Sequence, residues 1–133
     1  MCVTRRHMPQ VADDKLPDLL DWLAKRGIAA YWTWLPTHVV RHRQCPDLFD
    51  PAYFVGKADG VQRNKPILVS RDLCIVDGNH RHEDHNRRGL SRIYSIILDA
   101  PFNMAVEAVR EFPGSYTNEE HWPPSGRSGN DAR

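Results

Sequence analysis

Apolar residues recur along the chain with two periods, and the switches between them mark out the elements. Leu16, Leu19, Leu20 and Leu23 fall at the i, i+3, i+4, i+7 spacing of one helix face. Asp13 or Asp14 stands where an N-cap belongs, and Gly27 where a helix stops. Residues 28–35, rich in aromatics and closed by Pro36, predict a strand. One of Tyr31, Trp32 and Trp34 is expected to point inward and the others to cover the leading helix. Asp50-Pro51 supplies the cap and first-turn proline of a short helix through Val55. Residues 67–69 and 73–76 flank Ser70-Arg71-Asp72 and predict two short strands joined by a tight turn, and residues 93–98 predict another strand. Asp99 and Pro101 then open a second amphipathic helix, with Phe102, Ala105, Val106, Val109 and Phe112 on one face and Pro113-Gly114 as its stop. Interspersed strands and helices predict one small α/β (α+β) domain with a mixed sheet over residues 13–116, with an extension over 1–12 and a tail over 117–133.

Two stretches break this patterning. In residues 117–133, Pro123-Pro124 and the later Gly126 and Gly129 forbid regular structure, and too little apolar surface is present to offset the entropy of ordering. A disordered tail is expected there, anchored by Trp122. The second stretch, Asp-Gly-Asn-His-Arg-His-Glu-Asp-His-Asn-Arg-Arg-Gly over residues 77–89, lies between two strands. It is long enough for a helix ending at Gly89, yet it holds almost nothing suited to a core. A helix polar all round needs a special environment, so this one is expected to line a site.

Composition narrows the classes. In 133 residues there are 18 Lys and Arg against 17 Asp and Glu, a net charge of +1, which removes the electrostatic case for a general nucleic-acid binder. No run approaches the roughly 20 apolar residues of a membrane span, and Met-Cys-Val-Thr-Arg-Arg-His at the start lacks the apolar stretch of a secretion signal. A cytoplasmic location is the expectation, with no membrane partner. Cys2, Cys45 and Cys74 form no C-x-x-C pair; reduced thiols, two of them buried, are expected.

Candidate chemistry gathers in the polar segment. Asp77-Gly78-Asn79 puts a glycine turn after a strand and before a helix N-terminus, where exposed amides and the positive end of the dipole suit an anion; His80 and Arg81 add donors. The competing reading is a capped turn with solvated histidines. His80-Arg-His82-Glu-Asp84-His85 also matches the H-x-H-x-D-H run of metallo-β-lactamase-like hydrolases. That fold needs far more chain, and only His121 remains downstream, so no metal site is expected beyond adventitious zinc or nickel at His82 and His85. Arg41, His42 and Arg43 with Arg81, Arg87 and Arg88 are read as solvated charge rather than a nucleic-acid patch. The aromatics of 28–35 are read as core rather than a base-stacking platform. Lys65 is expected to be exposed.

Lys65-Pro-Ile-Leu-Val-Ser-Arg-Asp-Leu-Cys-Ile-Val-Asp-Gly-Asn-His-Arg81, followed by a helix and Gly89-Leu-Ser-Arg-Ile-Tyr-Ser-Ile-Ile-Leu98, resembles the ParB/sulfiredoxin superfamily. The likeness is to free-standing phage- and plasmid-type ParB-like domains with an Asp-Gly-x-His-Arg core, and Leu35-Pro36-Thr37-His38 is similar to the Pro-Thr-Gln that opens many of them. It covers roughly residues 32–112. The resemblance implies a ParB/sulfiredoxin-like fold with an added N-terminal helix. It also implies binding of ATP, CTP or another NTP with Mg2+ at Gly78, Asn79, His80 and Arg81, with Asp77 and Glu83 as catalytic candidates of an NTPase or phosphotransferase. Asn79 stands where sulfiredoxins carry their redox cysteine, so sulfinic-acid reduction is not expected. Gly78 and Arg81 alone match the Gly-Glu-Arg-Arg with which partitioning ParB proteins engage CTP, and there is no room for their helix-turn-helix domain. A ParB-like nuclease acting on DNA, or a non-catalytic protein-binding or inhibitory module, are the alternatives.

Overall fold

A strand buried on both faces has to be apolar at nearly every position, and residues 92–98 meet that demand. Ile96 and Leu98 project to one side and Ile93 and Ile97 to the other. In the computed structural model, which describes residues 8–42 and 65–117, this strand is central. The elements are β1 (Pro9–Val11), α1 (Leu16–Lys25), β2 (Ala30–Pro36), β3 (Ile67–Val69), β4 (Ile75–Asp77), α2 (Asn79–Arg87), β5 (Arg92–Leu98), α3 (Phe102–Glu111) and β6 (Ser115–Thr117). Short 3-10 turns lie at Asp13–Lys15 and Thr37–Val39. The main sheet runs β2-β5-β3-β4, antiparallel at both outer pairs and parallel between β5 and β3. This is the mixed-sheet α+β architecture that the hydrophobic pattern predicts.

Two apolar layers sandwich the sheet. On one side α1 and α3 pack Leu19, Leu23, Phe102, Ala105 and Val109 onto Leu68, Val76, Ile96 and Leu98. On the other, Val40, Ile67, Val69, Ile75 and Ile93 form a smaller cluster. Each fully buried aliphatic side chain is worth about 1.5–3 kcal/mol relative to exposure, so the larger layer carries most of the stability. Gly27 ends α1 at φ +82°, letting its amide reach Ala24 O at 3.0 Å and the Ile28 amide reach Leu23 O at 2.9 Å.

Several local expectations are corrected. The 3-10 turn at Asp13–Lys15 intervenes before α1, so neither aspartate caps it; Lys15 occupies that position with no side-chain bond, and Asp13 pairs with Lys65 instead. Asp99 does not cap α3 either, because its carboxylate accepts from Arg71 Nε at 2.8 Å. Tyr31, Trp32 and Trp34 are 56%, 49% and 48% exposed, so none of them is an inward core residue. β2 is an edge strand, and only Ala30 and Leu35 reach the two clusters; Trp32 and Trp34 lie instead on Tyr94, with centroids 5.6 and 5.0 Å away. The β3–β4 turn places Leu73 at φ +62°, and β4 therefore begins at Ile75 rather than at residue 73.

Residues 9–11 are also no mere extension, nor is Thr117 part of a tail. β1 and β6 pair antiparallel, Pro9 opposite Thr117 and Val11 opposite Ser115, and Val11 joins the main core. Three-residue strands are too short for alternation to register in a sequence pattern. Cys74 is buried. The short helix predicted from Asp50, Cys2, Cys45 and the Trp122 anchor lie outside the described residues. No helix among the described residues is long and apolar enough to cross a membrane.

Candidate functional site

The polar segment becomes α2, and its imidazoles are not solvated. His82, Asp84 and His85 are 6%, 1% and 2% exposed, and buried polar groups are tolerable only when bonded. His82 Nε2 donates to Thr37 O at 2.9 Å, and Thr37 Oγ1 in turn donates to Leu90 O at 2.7 Å. His85 Nδ1 donates to Arg81 O at 2.9 Å, one turn back, while Arg88 Nε donates to Asp84 Oδ1 at 2.8 Å. The helix ends as α1 does, with Gly89 at φ +68° and the Leu90 amide on His85 O at 2.9 Å. The inner face of α2 is thus polar yet structural, which corrects the expectation that the whole segment lines a site.

The same geometry scatters the H-x-H-x-D-H run: the groups that would have to converge on zinc point at separate protein partners. Among the described residues no three His, Cys, Asp or Glu side chains come together as metal ligands. The arginines are likewise engaged, Arg87 with Glu83 at 3.2 Å, Arg88 with Asp84, and Arg81 donating to Pro66 O at 3.2 Å. Arg43 lies outside the described residues.

Burial holds the His82 pKa below its usual value; the bond to Thr37 and the charge of Glu83 oppose this, and His42 and His85 add to it. A group whose folded pKa is depressed below the unfolded one binds its proton more readily when unfolded. Stability is therefore full at neutral pH and falls as pH drops through the ordinary histidine value of 6.5 toward the lowered one. Urea titrations at pH 7.5 and pH 5.5 are expected to show this loss, and His82→Gln to reduce it; an equal slope in the variant would show that another group carries it.

The outward end of α2 is different. Gly78 is its N-cap at φ +113°, and no side chain caps the helix. A Cβ at this position would stand 2.8 Å from Ile67 Cβ and 2.9 Å from Arg81 Nη1. Only glycine combines that backbone angle with so close an approach. The uncapped first turn borders a cavity of about 300 Å3, lined by Asp77, Gly78, Asn79, His80 and Arg81 on the sheet side and by β1, Asp13, Lys65 and Tyr116 on the other. Asn79 is only 9% exposed, and its Oδ1 is buried without a hydrogen-bond partner. An acceptor so placed costs about 1–3 kcal/mol, a cost that an ordered water, an ion or a ligand reaching it would remove.

Charge around the cavity is balanced. Burial pushes the Asp77 carboxyl above its ordinary value, against the pull of Arg81 and Lys65 and of bonds from the Val11 and Gly78 amides. The Val11 amide donates to Asp77 Oδ2 at 3.2 Å, and Lys65 Nζ reaches Val11 O at 3.4 Å as well as Asp13. Five of the residues singled out from sequence, Asp77, Gly78, Asn79, His80 and Arg81, therefore share one cavity. Glu83 is not among them; it sits one turn along α2 in its pair with Arg87.

Lys65 lines the cavity, although its position before Pro66 suggested an exposed side chain. The contributions of β1 and Tyr116 gave no signal, because they depend on pairing between residues about a hundred positions apart.

No family model matches the sequence, and no curated protein does. Among solved structures, the chain is similar to the C2221 form of a Pnob8-like ParB-N domain, with a TM-score of 0.47 and 8% sequence identity. That match covers 62% of this chain and spans 35% of the ParB-N chain.

Proposed function

We propose that the domain binds a nucleoside triphosphate together with Mg2+, its phosphates held at the first turn of α2. The observation that carries this reading is the uncapped, glycine-led helix start beside the orphaned Asn79 oxygen, in a cavity that Lys65, His80 and Arg81 also line. Helix N-termini attract phosphate through their unpaired amides and a partial positive charge of about one half. Lys65 and Arg81 add two cations, which Asp13 and Asp77 nearly cancel. A bare polyanion therefore gains little from the cavity, whereas a magnesium-bound one fits it. Asp77 and Asn79 offer the oxygen ligands that a hard cation prefers, and Mg2+ characteristically completes its shell with substrate phosphates and water.

Bound Mg2+ would neutralise phosphate charge; the chain's own part is to orient the phosphates on Arg81, Lys65 and the helix start. With Glu83 turned to Arg87, Asp77 is the one of the two catalytic candidates that lines the cavity, and it is the residue proposed to serve any NTPase or phosphotransferase activity. Isothermal titration of the full chain with ATP, CTP and GTP is expected to give binding heats with Mg2+ and none after EDTA. Silence with all three nucleotides in Mg2+ rejects the reading. Binding without phosphate release would make the domain a nucleotide sensor rather than an enzyme.

A further inference from the structure

The cavity has two chemically different walls. The α2 start supplies a charged one; the β1–β6 ribbon, with Lys65 bonded to it, supplies the other. Gln10 and Tyr116 are directly opposite in that ribbon, so their side chains share one face, and both line the cavity. Val11, pointing the other way, is buried in the main core. The Val11 amide on Asp77 ties the ribbon to the charged wall, and Lys65 bonds to Val11 O, so the ribbon's backbone is held beside the helix start. At about 300 Å3 the cavity sits at the lower limit for small-molecule sites.

We infer that the β1–β6 ribbon is the base-binding wall, Tyr116 stacking on the nucleobase and Gln10 presenting its amide to the base edge. This rests on the phosphate reading above and adds that the ligand is recognised as a nucleotide rather than as a phosphate chain. An aromatic face suits any base, while one side-chain amide offers both a donor and an acceptor to its edge.

The test compares Mg2+-ATP with Mg2+-tripolyphosphate by isothermal titration, in the unaltered chain and in Tyr116→Phe and Tyr116→Ala. Base stacking on an aromatic side chain corresponds to roughly a 5- to 150-fold change in affinity. ATP is therefore expected to bind the unaltered chain at least about fivefold more tightly than tripolyphosphate, the low end of that stacking range. Tyr116→Phe retains the difference; Tyr116→Ala removes it while leaving tripolyphosphate binding in place, which shows the cavity intact. Equal affinities for the two ligands in the unaltered chain would overturn the base wall and leave the phosphate site standing. Loss of both ligands together in Tyr116→Ala would make the tyrosine structural and also overturn it. Binding of neither by the unaltered chain overturns both readings.

Discussion

Replacing Gly78 with alanine is expected to cost about 2–5 kcal/mol, through strain at a positive φ and overpacking in roughly equal parts. The backbone sits at φ +113°, and the added methyl meets Ile67, a residue with no exposed surface packed among Val40, Val69, Ile75 and Ile93. Ile67 cannot retreat without disturbing that layer. Gly27 and Gly89 separate the two contributions, because both have positive φ but nothing within 4 Å of the place an added methyl would occupy. Alanine at either is expected to cost only about 1–2 kcal/mol, the left-handed penalty alone. Urea melts of the three variants check the order; a Gly78→Ala loss no larger than that of Gly89→Ala would show that Ile67 yields. Since domains hold only about 5–15 kcal/mol in all, the Gly78 variant should be clearly the least stable of the three.

That glycine marks how far the sequence is legible. A glycine between a short apolar strand and a polar segment reads directly as a turn into a helix start, because the backbone requirement is local. Helix ends at Gly27 and Gly89 are legible for the same reason, and both adopt the positive φ that their position demands. The apolar face of α3 is legible because its period is carried by five residues. What escaped the pattern depends on partners distant in the chain. His82 and His85 read as part of a site, or else as solvated, until Thr37 O and Arg81 O are seen to satisfy them. Tyr31, Trp32 and Trp34 read as core because hydrophobicity does not say whether a strand is central or at an edge. β1 and β6 escape because each has only three residues.

The candidate site divides along the same line. Its α2 side is contiguous in sequence, from Asp77 to Arg81, and so announces itself. Its other side is assembled from Asp13, Lys65 and Tyr116, which only the β1–β6 pairing and the Lys65 bridge bring near. Near-neutral total charge acquires a local meaning there. Lys65 and Arg81 balance Asp13 and Asp77, and the proposed preference for a metal-bound phosphate over a bare one would rest on that balance.

Asn79→Leu is expected to move stability and binding in opposite directions. Leucine keeps the γ-branched outline of asparagine with somewhat greater bulk, so the substitution removes the buried, unpartnered Oδ1 without opening a void. Relief of an unsatisfied acceptor should raise stability by about 1 kcal/mol, the low end of that group's desolvation cost. The same oxygen is one of the two protein ligands proposed for Mg2+, so on that proposal Mg2+-ATP affinity should fall roughly tenfold or more, a loss that groups even one shell out from a metal commonly cause. Asn79→Asp keeps an oxygen in place and is expected to retain magnesium-dependent binding, at some cost in stability from a second buried carboxylate beside Asp77. Thermal melts without ligand and titrations with Mg2+-ATP read the two effects separately. A leucine variant that is destabilised, or that binds as the unaltered chain does, would show that the orphaned oxygen is not held in reserve for a ligand. The opposed signs are the signature of a site, since a residue serving the fold alone would lose stability and binding together.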